Sequence, residues 1–563
     1  MTSHLHVQLI ADYLNKRKVH HVIICPGSRS APLVIAFNYY PDIKKYVITD
    51  ERSAGYFALG LAKQLRRPIA IVCTSGTAVL NLGPALCEAF HQAIPLIAIT
   101  ADRPEELQNI GENQTINQHE IFSNYTGTFI KFSPIQSLDD FTRLIPVMDA
   151  CLSSDTEWQA LPSHWNVHIP EPLYDIAGEE VPYYELPELH QRPSLEVMHT
   201  DEIELLQSTW SNTDKKMIIC GYADFTTNEI KALKELEEKQ DIVLLSEHAS
   251  NLPFHFQKPW NIDALLQLIS PQDEKNFAPE VVITIGRQIL SNKLKKFLRK
   301  NKPKLHFHLS PLFESWNQFL LQDGFYTLPI QLSSLLTTIL THNHSGRPHY
   351  KQQWEVLHDK VHNHTHQFCS LIPFSDLKAF KLIFDQLPVN SILHLGNSSP
   401  VRYAQFFPLP PSIKVFSNRG TGGIDGCLST AVGSAFATKK ILTAIIGDLG
   451  FFYDSNALWN KKLPNNLRII VINNGGGNIF RLIDGPQTVR NFEEFFEASH
   501  NLTARHLSDM FGLEYYFSKN EIELKNVLPD FFERKGGAAL LEIKTNNKTS
   551  AVVYKDYFSG LKK

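Results

Sequence analysis

The chain has 563 residues, of which 43% are apolar and 20% charged, and its net charge is −4. This length exceeds what one hydrophobic core supports and predicts about three domains, while the small net charge gives no reason to expect nucleic acid or a membrane surface as a partner. Seven cysteines without CxxC spacing argue against a disulfide framework or a zinc site, and the absence of a signal peptide or an ~18-residue apolar span predicts a cytoplasmic protein.

The first part of the chain alternates predicted helices and strands from its start. The predicted helices span 6–16 and 53–64, and the predicted strands span 21–25, 46–50, 68–73 and 95–100. Polar loops follow all four strands, and the first contains Ser28 and Arg29 directly before a helix. A Ser/Arg turn at a helix amino terminus is a natural anion site, although capping alone would explain the serine. Four polar strand ends predict a doubly wound parallel sheet with its functional edge on one side.

Two polar stretches predict the domain boundaries. A loop-rich stretch over 171–193 predicts the first linker, and a polar stretch over 345–360 predicts the second. Between them lie the strands of a second α/β segment, predicted at 216–220, 242–245, 281–285 and 305–308. We therefore expect domains at 1–185, 186–350 and 351–563, all of the α/β class with doubly wound parallel sheets.

Residues 441–480 carry the strongest chemical signal, after a further predicted strand at 391–395. One apolar run ends at Gly447-Asp448, helical spacing covers 453–463, and a second apolar run over 467–472 ends at an Asn-Asn-Gly-Gly loop that contains Asn474. Continuous apolar runs are typical of parallel strands, whose carboxyl ends bind ligands in open α/β sheets. Turn chemistry would explain each polar pair singly. Together, a carboxylate, an amide oxygen and a loop carbonyl form an incomplete oxygen set that suits Mg²⁺ bound to phosphate.

Motifs along nearly the whole chain resemble one family. They are CPGSRS at 25–30, TDERSAGYFALGLA at 49–62, TSGTA at 74–78, TADRP at 100–104, NQTINQ at 113–118, GNSSPVR at 396–402, SNRGTGGIDG at 417–426, and GDLG followed by NNGGGNIF. This set resembles the thiamine-diphosphate-dependent synthases that make 2-succinyl-5-enolpyruvyl-6-hydroxy-3-cyclohexene-1-carboxylate in menaquinone biosynthesis. Leu449 stands where the thiamine fingerprint usually has a second glycine. The motifs are dense in the first and third segments and sparse in the second.

The resemblance implies a fold, a reaction and an assembly. The three domains would bind the pyrimidine of the cofactor, form a central unit, and bind the pyrophosphate. The reaction would decarboxylate 2-oxoglutarate and add the resulting succinyl unit to isochorismate, with thiamine diphosphate and Mg²⁺ or Mn²⁺ as cofactors. The protein would be a homodimer or a dimer of dimers, with each site shared between two subunits.

The resemblance also implies the site residues. Glu51 would sit beside the aminopyrimidine, where apolar surroundings raise its pKa and ease proton sharing, although the helix dipole alone would also favour a glutamate there. The residues expected at the substrates are Ser28, Arg29, Arg103, Gln114, Lys293, Ser398 and Arg402. The residues expected at the cofactor are Glu51, Asn397, Ser398, Arg419, Ile424, Gly447, Asp448, Asn474, Gly476, Ile479 and Phe480. Asp448, Asn474 and the Gly476 carbonyl would bind the metal ion.

Two alternatives share the cofactor motif. One is a thiamine-diphosphate enzyme of the acetohydroxyacid-synthase or pyruvate-decarboxylase type, which would act on small 2-oxo acids. The arginines in the strand-end loops argue against it, because they suit dicarboxylates. The other is a binding protein that has lost catalysis, and the retention of both Glu51 and Asp448 argues against that.

Overall fold

The computed structural model describes the chain except for residues 136, 153–159, 177–180, 189–199, 224, 311–315, 329–331, 341–348, 484 and 563. The described residues form three separate β-sheets, and every paired strand within them is parallel. α-Helices connect most of the successive strands, as is typical of parallel pairing. The predicted class of three doubly wound α/β domains is confirmed.

The first sheet contains six strands in the order β2-β1-β3-β4-β6-β5. Its strands are β1 (His21–Ile24), β2 (Lys44–Val47), β3 (Ile69–Cys73), β4 (Leu96–Asp102), β5 (Thr128–Phe132) and β6 (Ser163–His168). Its helices are α1 (Leu5–Lys16), α2 (Ala31–Tyr39), α3 (Glu51–Leu65), α4 (Thr77–Asn81), α5 (Gly83–Gln92), α6 (Leu138–Thr142) and α7 (Ile145–Ala150). The site-bearing loops follow the carboxyl ends of these strands.

The second sheet contains five strands in the order β11-β10-β9-β7-β8. Its strands are β7 (Lys216–Cys220), β8 (Ile242–Ser246), β9 (Val281–Ile285), β10 (Leu305–Leu309) and β11 (Phe325–Leu328). Its helices are α8 (Thr200–Ser211), α9 (Thr227–Lys239), α10 (Pro253–Phe256), α11 (Ile262–Leu268), α12 (Glu274–Phe277), α13 (Asn292–Lys300) and α14 (Leu332–Leu340).

The third sheet contains six strands in the order β13-β12-β14-β15-β17-β16. Its strands are β12 (Ile392–Leu395), β13 (Lys414–Phe416), β14 (Leu442–Gly447), β15 (Leu467–Asn473), β16 (Glu514–Ser518) and β17 (Ala539–Lys544). Its helices are α15 (Tyr350–Leu371), α16 (Asp376–Gln386), α17 (Ser399–Tyr403), α18 (Cys427–Phe436), α19 (Asp448–Tyr453), α20 (Ile479–Leu482), α21 (Phe492–Phe495), α22 (Arg505–Met510), α23 (Glu521–Glu533) and α24 (Asn547–Gly560). When each sheet's strands are numbered from its own first strand, the first and third sheets share one order, so the same topology occurs twice.

Three expectations from the sequence are wrong in position. The helix predicted over 453–463 is instead α19, which starts at Asp448 directly after β14 and is followed by a 3₁₀ turn over Ser455–Leu458. The strand predicted at 46–50 is β2, which ends at Val47. It ends early because Asp50 caps α3 by accepting hydrogen bonds from the amides of Arg52 (2.9 Å) and Ser53 (3.2 Å).

The second linker, predicted over 345–360, is contradicted from residue 350 onward, where the chain forms α15. This helix is polar in composition because it buries only part of its surface, including Trp354, Leu357 and Val361. Such a narrow apolar stripe is easily mistaken for a loop composition. Residues 345–348 of the predicted linker lie outside the described residues.

The first and third sheets pack together through the equivalent helices α3 and α18. A Cβ atom on Gly60 of α3 would clash with the Thr430 carbonyl, and a Cβ atom on Gly433 of α18 would clash with the Phe57 carbonyl. Glycine therefore permits close contact from both sides of the crossing. The Ser53 and Ser429 hydroxyls are 2.9 Å apart at the same interface. One continuous apolar core covers the facing sides of the two sheets.

Across the described part of the chain, no helix combines the length and apolar character needed to span a bilayer.

Candidate active site

A cavity of about 210 Å³ opens at the carboxyl edge of the third sheet, where ligands bind in open α/β sheets. Nine of the residues predicted to hold the cofactor line it: Asn397, Ser398, Ile424, Gly447, Asp448, Asn474, Gly476, Ile479 and Phe480. Every described residue that lines the cavity lies between Asp376 and Phe480. Each chain therefore builds this cavity from its third sheet.

Asp448 holds the loop that follows β15. Its Oδ2 accepts hydrogen bonds from the amides of Gly475 (2.7 Å) and Gly476 (3.0 Å), and its Oδ1 accepts one from the Leu449 amide (2.7 Å). The carboxylate is 2% exposed. Gly476 has a φ of +152°, and a side chain there would collide with the Glu497 carbonyl, so glycine is required at this position.

Asn474 presents an unpaired oxygen to this cavity. Its Nδ2 donates to Asp376 Oδ2 at 2.9 Å, while its Oδ1 is buried and finds no partner among the described residues. A buried acceptor without a donor is costly, so it marks a place for a ligand. Together with the Asp448 carboxylate it provides the hard oxygen donors that Mg²⁺ prefers. The residues present therefore fit a divalent cation with a diphosphate.

The loop after β12 is held in an unusual conformation. Ser398 has a φ of +71°, in the region that residues other than glycine seldom occupy. The neighbouring Asn397 side chain donates to the carbonyls of Asn418 and Gly423 at 2.6 Å, and its Oδ1 accepts from Arg419 Nη1 at 2.9 Å. These bonds tie the β12 loop to the glycine-rich loop that precedes α18. Strain held in place by such bonds is typical of functional sites.

Arg402 and Arg419 form a cationic region beside the cavity. Burial lowers the pKa of the Arg419 guanidinium, the charge of Glu247 opposes this shift, and the charge of Arg402 adds to it. The Nε atoms of both arginines are buried and unpaired within the described residues. Arg402 also lines a smaller cavity with Glu247, Ser291 and aromatic residues of α24. Two neighbouring guanidinium groups with free donors suit an anionic ligand.

Glu51 begins α3 at the carboxyl edge of the first sheet. Burial raises the pKa of its carboxyl above the ordinary value, and the charge of Asp50 adds to the shift. The Cys25 thiol directly follows β1, and the Cys73 thiol lies at the end of β3. Burial raises the pKa of both thiols, and the charge of the nearby Glu51 raises it further. The direction of the pKa shift of Glu51 is the one that apolar surroundings cause, because burial disfavours the charged form of a carboxyl.

Two arginines surround the same edge of the first sheet. Arg29 is buried, donates from Nη1 to the Ile169 carbonyl at 3.0 Å, and pairs with Glu171 at 3.1 Å, while its Nε lacks a partner among the described residues. Arg103 Nη1 donates to the Gln114 carbonyl and to Ser75 Oγ, both at 3.0 Å.

The loops of this edge also lie against one another. Ser28 is exposed on the loop beside Arg29. A Cβ on the adjacent Gly27 would collide with Thr74. At this edge Arg103 and Gln114 are in direct contact, and we refer to the loop residues Ser28, Arg29, Glu51, Arg103 and Gln114 as the second cluster.

Lys293 lies outside both clusters. Its Nζ donates to Gln267 at 3.2 Å and lies 4.3 Å from the ring centre of Phe558, at the surface of α13. On the same helix, burial lowers the pKa of Lys295, the charge of Glu247 opposes that shift, and the charge of Arg419 adds to it. The charges of Lys295 and Arg419 are therefore close enough to influence each other.

Several residues of the site were not predicted from the sequence. Asn478 stands within the NNGGGNIF motif, so its position in the motif was an available signal. Ser75 follows a strand in the TSGTA motif and could have been found in the same way. Asp376 had no local signal, since its contacts with Asn474 and Asn478 join residues 98 and 102 positions apart.

Comparison with known proteins identifies similar chains. Residues 6–121 match the family model described as thiamine pyrophosphate enzyme, N-terminal TPP binding domain. A protein of Christiangramia forsetii is 37% identical, and the alignment covers 97% of each chain. One of Flavobacterium psychrophilum is 37% identical over 98% of each chain, and one of Bacteroides fragilis is 35% identical over 99% of this chain and 98% of the relative. All three relatives are named 2-succinyl-5-enolpyruvyl-6-hydroxy-3-cyclohexene-1-carboxylate synthase.

Proposed function

The chain belongs to the family of thiamine-diphosphate-dependent 2-succinyl-5-enolpyruvyl-6-hydroxy-3-cyclohexene-1-carboxylate synthases, and from that premise we propose its substrates, its metal site and its assembly. The substrates are 2-oxoglutarate and isochorismate. The first loses carbon dioxide, and its remaining succinyl unit is joined to the second. The observation that carries this proposal is the cavity of the third sheet with a half-buried arginine pair beside it, whose Nε atoms are buried and lack a partner among the described residues.

The diphosphate and the divalent cation bind in the third-sheet cavity. Asp448, Asn474 and the Gly476 carbonyl hold the cation, which is Mg²⁺ or Mn²⁺. The free Asn474 Oδ1 supports this assignment, because a cation supplies the partner that the oxygen lacks. The apolar side chains of Ile424 and Phe480 line the same cavity and shape the space for the rest of the cofactor.

When bound, thiamine diphosphate supplies the carbon nucleophile and accepts the electron pair released by decarboxylation. Glu51 would hold a proton at its carboxyl and exchange it with the cofactor. Burial raises the pKa of this carboxyl, and that direction supports the task, because it favours the protonated form.

Three arginines with buried Nε donors recognise the carboxylates of the substrates. Both substrates are dicarboxylates, and a planar guanidinium binds a carboxylate through two parallel hydrogen bonds. Arg402 and Arg419 carry free Nε donors on the third-sheet side, and Arg29 carries one on the first-sheet side. The other polar residues proposed at the substrates are Ser28, Arg103, Gln114 and Ser398. Lys293 is also proposed there, although it lies farther from the cavity.

The active site is shared between two subunits of a dimer or of a dimer of dimers. The cavity is lined by residues between Asp376 and Phe480, whereas Glu51 has first-sheet neighbours. We infer from the family resemblance that a cofactor held by both clusters contacts the first sheet of one chain and the third sheet of another. A two-fold dimer supplies two such sites.

Product analysis tests the proposed reaction. The protein is incubated with thiamine diphosphate, Mg²⁺ and 2-oxoglutarate, with and without isochorismate, and the products are identified by mass spectrometry. The expected product with isochorismate is the adduct that retains its two carboxylates and gains the succinyl unit. Consumption of 2-oxoglutarate without that adduct, or preference for pyruvate, would contradict the proposed substrates.

A further inference from the structure

Asp376, the first residue of α16, is fully buried at the inner wall of the third-sheet cavity. Its Oδ2 accepts hydrogen bonds from two amide side chains, Asn474 Nδ2 at 2.9 Å and Asn478 Nδ2 at 3.2 Å. Its Oδ1 accepts from Thr545 Oγ1 at 2.5 Å. The Asp376 carboxylate thus binds the NH₂ group of both asparagine side chains.

These bonds fix the direction of two oxygens. A carboxylate only accepts hydrogen bonds, so it selects the NH₂ face of each amide and turns each Oδ1 away from itself. The Oδ1 atoms of Asn474 and Asn478 are both buried, and neither has a partner in the described part of the chain. Both residues line the cavity. The cavity therefore contains two amide oxygens that a cation or a hydrogen-bond donor could pair with.

We propose that Asp376 is a positioning residue, which presents the Oδ1 atoms of Asn474 and Asn478 to the divalent cation and its bound water. This inference rests on the proposed function, which places the cation at Asp448 and Asn474. It adds Asn478 as a further oxygen donor and Asp376 as the anchor of both amides. Residues that orient a metal ligand in this way typically change metal affinity ~10–100-fold when they are removed.

The alternative is that Asp376 only begins α16. The preceding Ser375 is the cap of this helix, and its hydroxyl accepts from the Lys378 amide at 3.4 Å. Ser375→Ala removes this capping bond and leaves the two amides untouched, so it is the matched control for a loss of helix stability. Asp376→Asn is the conservative variant, because it keeps one acceptor oxygen for the amides and an NH₂ group that donates to Thr545 Oγ1.

Isothermal titration calorimetry of Mg²⁺ into each full-length protein with thiamine diphosphate tests the proposal. We expect Asp376→Ala to weaken Mg²⁺ binding ~10–100-fold. Asp376→Asn should recover most of that loss, and Ser375→Ala should bind as the wild type does. Asn478→Ala, which leaves the bond between Asp376 and Asn474 in place, should weaken binding ~10-fold and serves if Asp376→Ala does not fold.

The outcomes separate the inference from the proposed function. Wild-type protein that fails to bind thiamine diphosphate with Mg²⁺ would overturn the proposed function and the inference with it. If the wild type binds, then equal affinity in Asp376→Ala, or an equal loss in Ser375→Ala, overturns the inference alone. Unchanged binding in Asn478→Ala removes Asn478 from the donor set and overturns the two-amide assignment.

Discussion

Asp448 combines two tasks that substitution can separate, namely binding the cation and restraining the loop after β15. Its carboxylate accepts two hydrogen bonds from the loop amides of Gly475 and Gly476, and a third from Leu449. Asp448→Ala removes all three bonds. Asp448→Asn keeps the shape, and with its oxygen turned to the two glycine amides it loses only the bond from Leu449.

The two variants should differ in loop stability. A hydrogen bond to a charged group contributes ~1.5–3 kcal/mol, so the two loop bonds lost in Asp448→Ala amount to about 3–6 kcal/mol. At ~1.4 kcal/mol for each factor of ten, the loop amides should open about 10²–10⁴ times more often. Asp448→Asn keeps two bonds to a neutral acceptor, at ~0.5–1.5 kcal/mol each, so it should retain about half of that free energy and a measurable part of the protection. Mg²⁺ affinity should fall more than ~100-fold in both variants. That factor is the upper end of the loss expected when a residue that only orients a metal ligand is removed.

Hydrogen exchange and calorimetry measure the two effects separately. Hydrogen–deuterium exchange of peptides that cover 473–480, in protein without cofactor, reports the opening of the loop. Titration of Mg²⁺ in the presence of thiamine diphosphate reports the metal site. Wild-type Mg²⁺ affinity in Asp448→Asn would refute the assignment of this carboxylate as a metal ligand. Unchanged loop exchange in Asp448→Ala would refute the restraint.

Three other substitution experiments follow from the proposed site. Glu51→Gln should keep the fold and bind thiamine diphosphate but slow turnover severely, since only the proton-sharing carboxyl is lost; stopped-flow turnover and a binding titration measure the two properties. Arg402→Ala and Arg29→Ala should each lower kcat/KM with 2-oxoglutarate and isochorismate by a factor equivalent to ~2–4 kcal/mol, because a buried carboxylate of the substrate loses its partner. Mixing the Glu51→Gln and Asp448→Ala proteins with free subunit exchange should restore roughly a quarter of wild-type activity, because half the dimers are mixed and each has one intact site.

Each of these experiments has an outcome that would contradict it. Near-normal turnover in Glu51→Gln would remove this carboxyl from the proton relay. A loss confined to cofactor affinity in the arginine variants would move Arg402 or Arg29 out of the substrate site. Activity that stays at zero after exchange, with exchange verified by pull-down of a tagged subunit, would show that each site lies within one chain.

Much of the fold could be predicted from the sequence because parallel strands are continuous apolar runs. The predicted bounds 216–220 and 281–285 coincide with β7 and β9. The strand β6 was not predicted, because its sequence SHWNVH contains four polar residues and lacks the continuous apolar run by which the other strands were recognised, although every residue is buried. Some of its polar side chains pair across the sheet, because Thr100 Oγ1 lies 2.8 Å from His164 Nε2 and donates to Asn166 Oδ1 at 2.8 Å. Such pairing is a tertiary property and leaves no local pattern.

The candidate site divides in the same way. The motifs of the third segment led to the residues that line one cavity, because motif residues lie in loops that follow neighbouring strands. Asp376 and Lys295 could not be found in that way. Asp376 meets its partners only after α16 packs under the β15 loop, and Lys295 comes near Arg419 only because α13 carries it to the third sheet. Contacts between distant parts of the chain decide both.

The crossing of α3 and α18 also constrains the order in which the protein can fold. The contact between Ser53 and Ser429 joins residues 376 positions apart, so it cannot form until most of the chain has been synthesised. The strands of the first sheet can pair earlier, and the apolar surface of α3 stays uncovered until α18 has formed. A side chain at Gly60 or Gly433 would therefore affect a late step of folding. Each sheet would still form, but the two sheets would not dock. Their facing apolar surfaces would stay exposed and prone to aggregation.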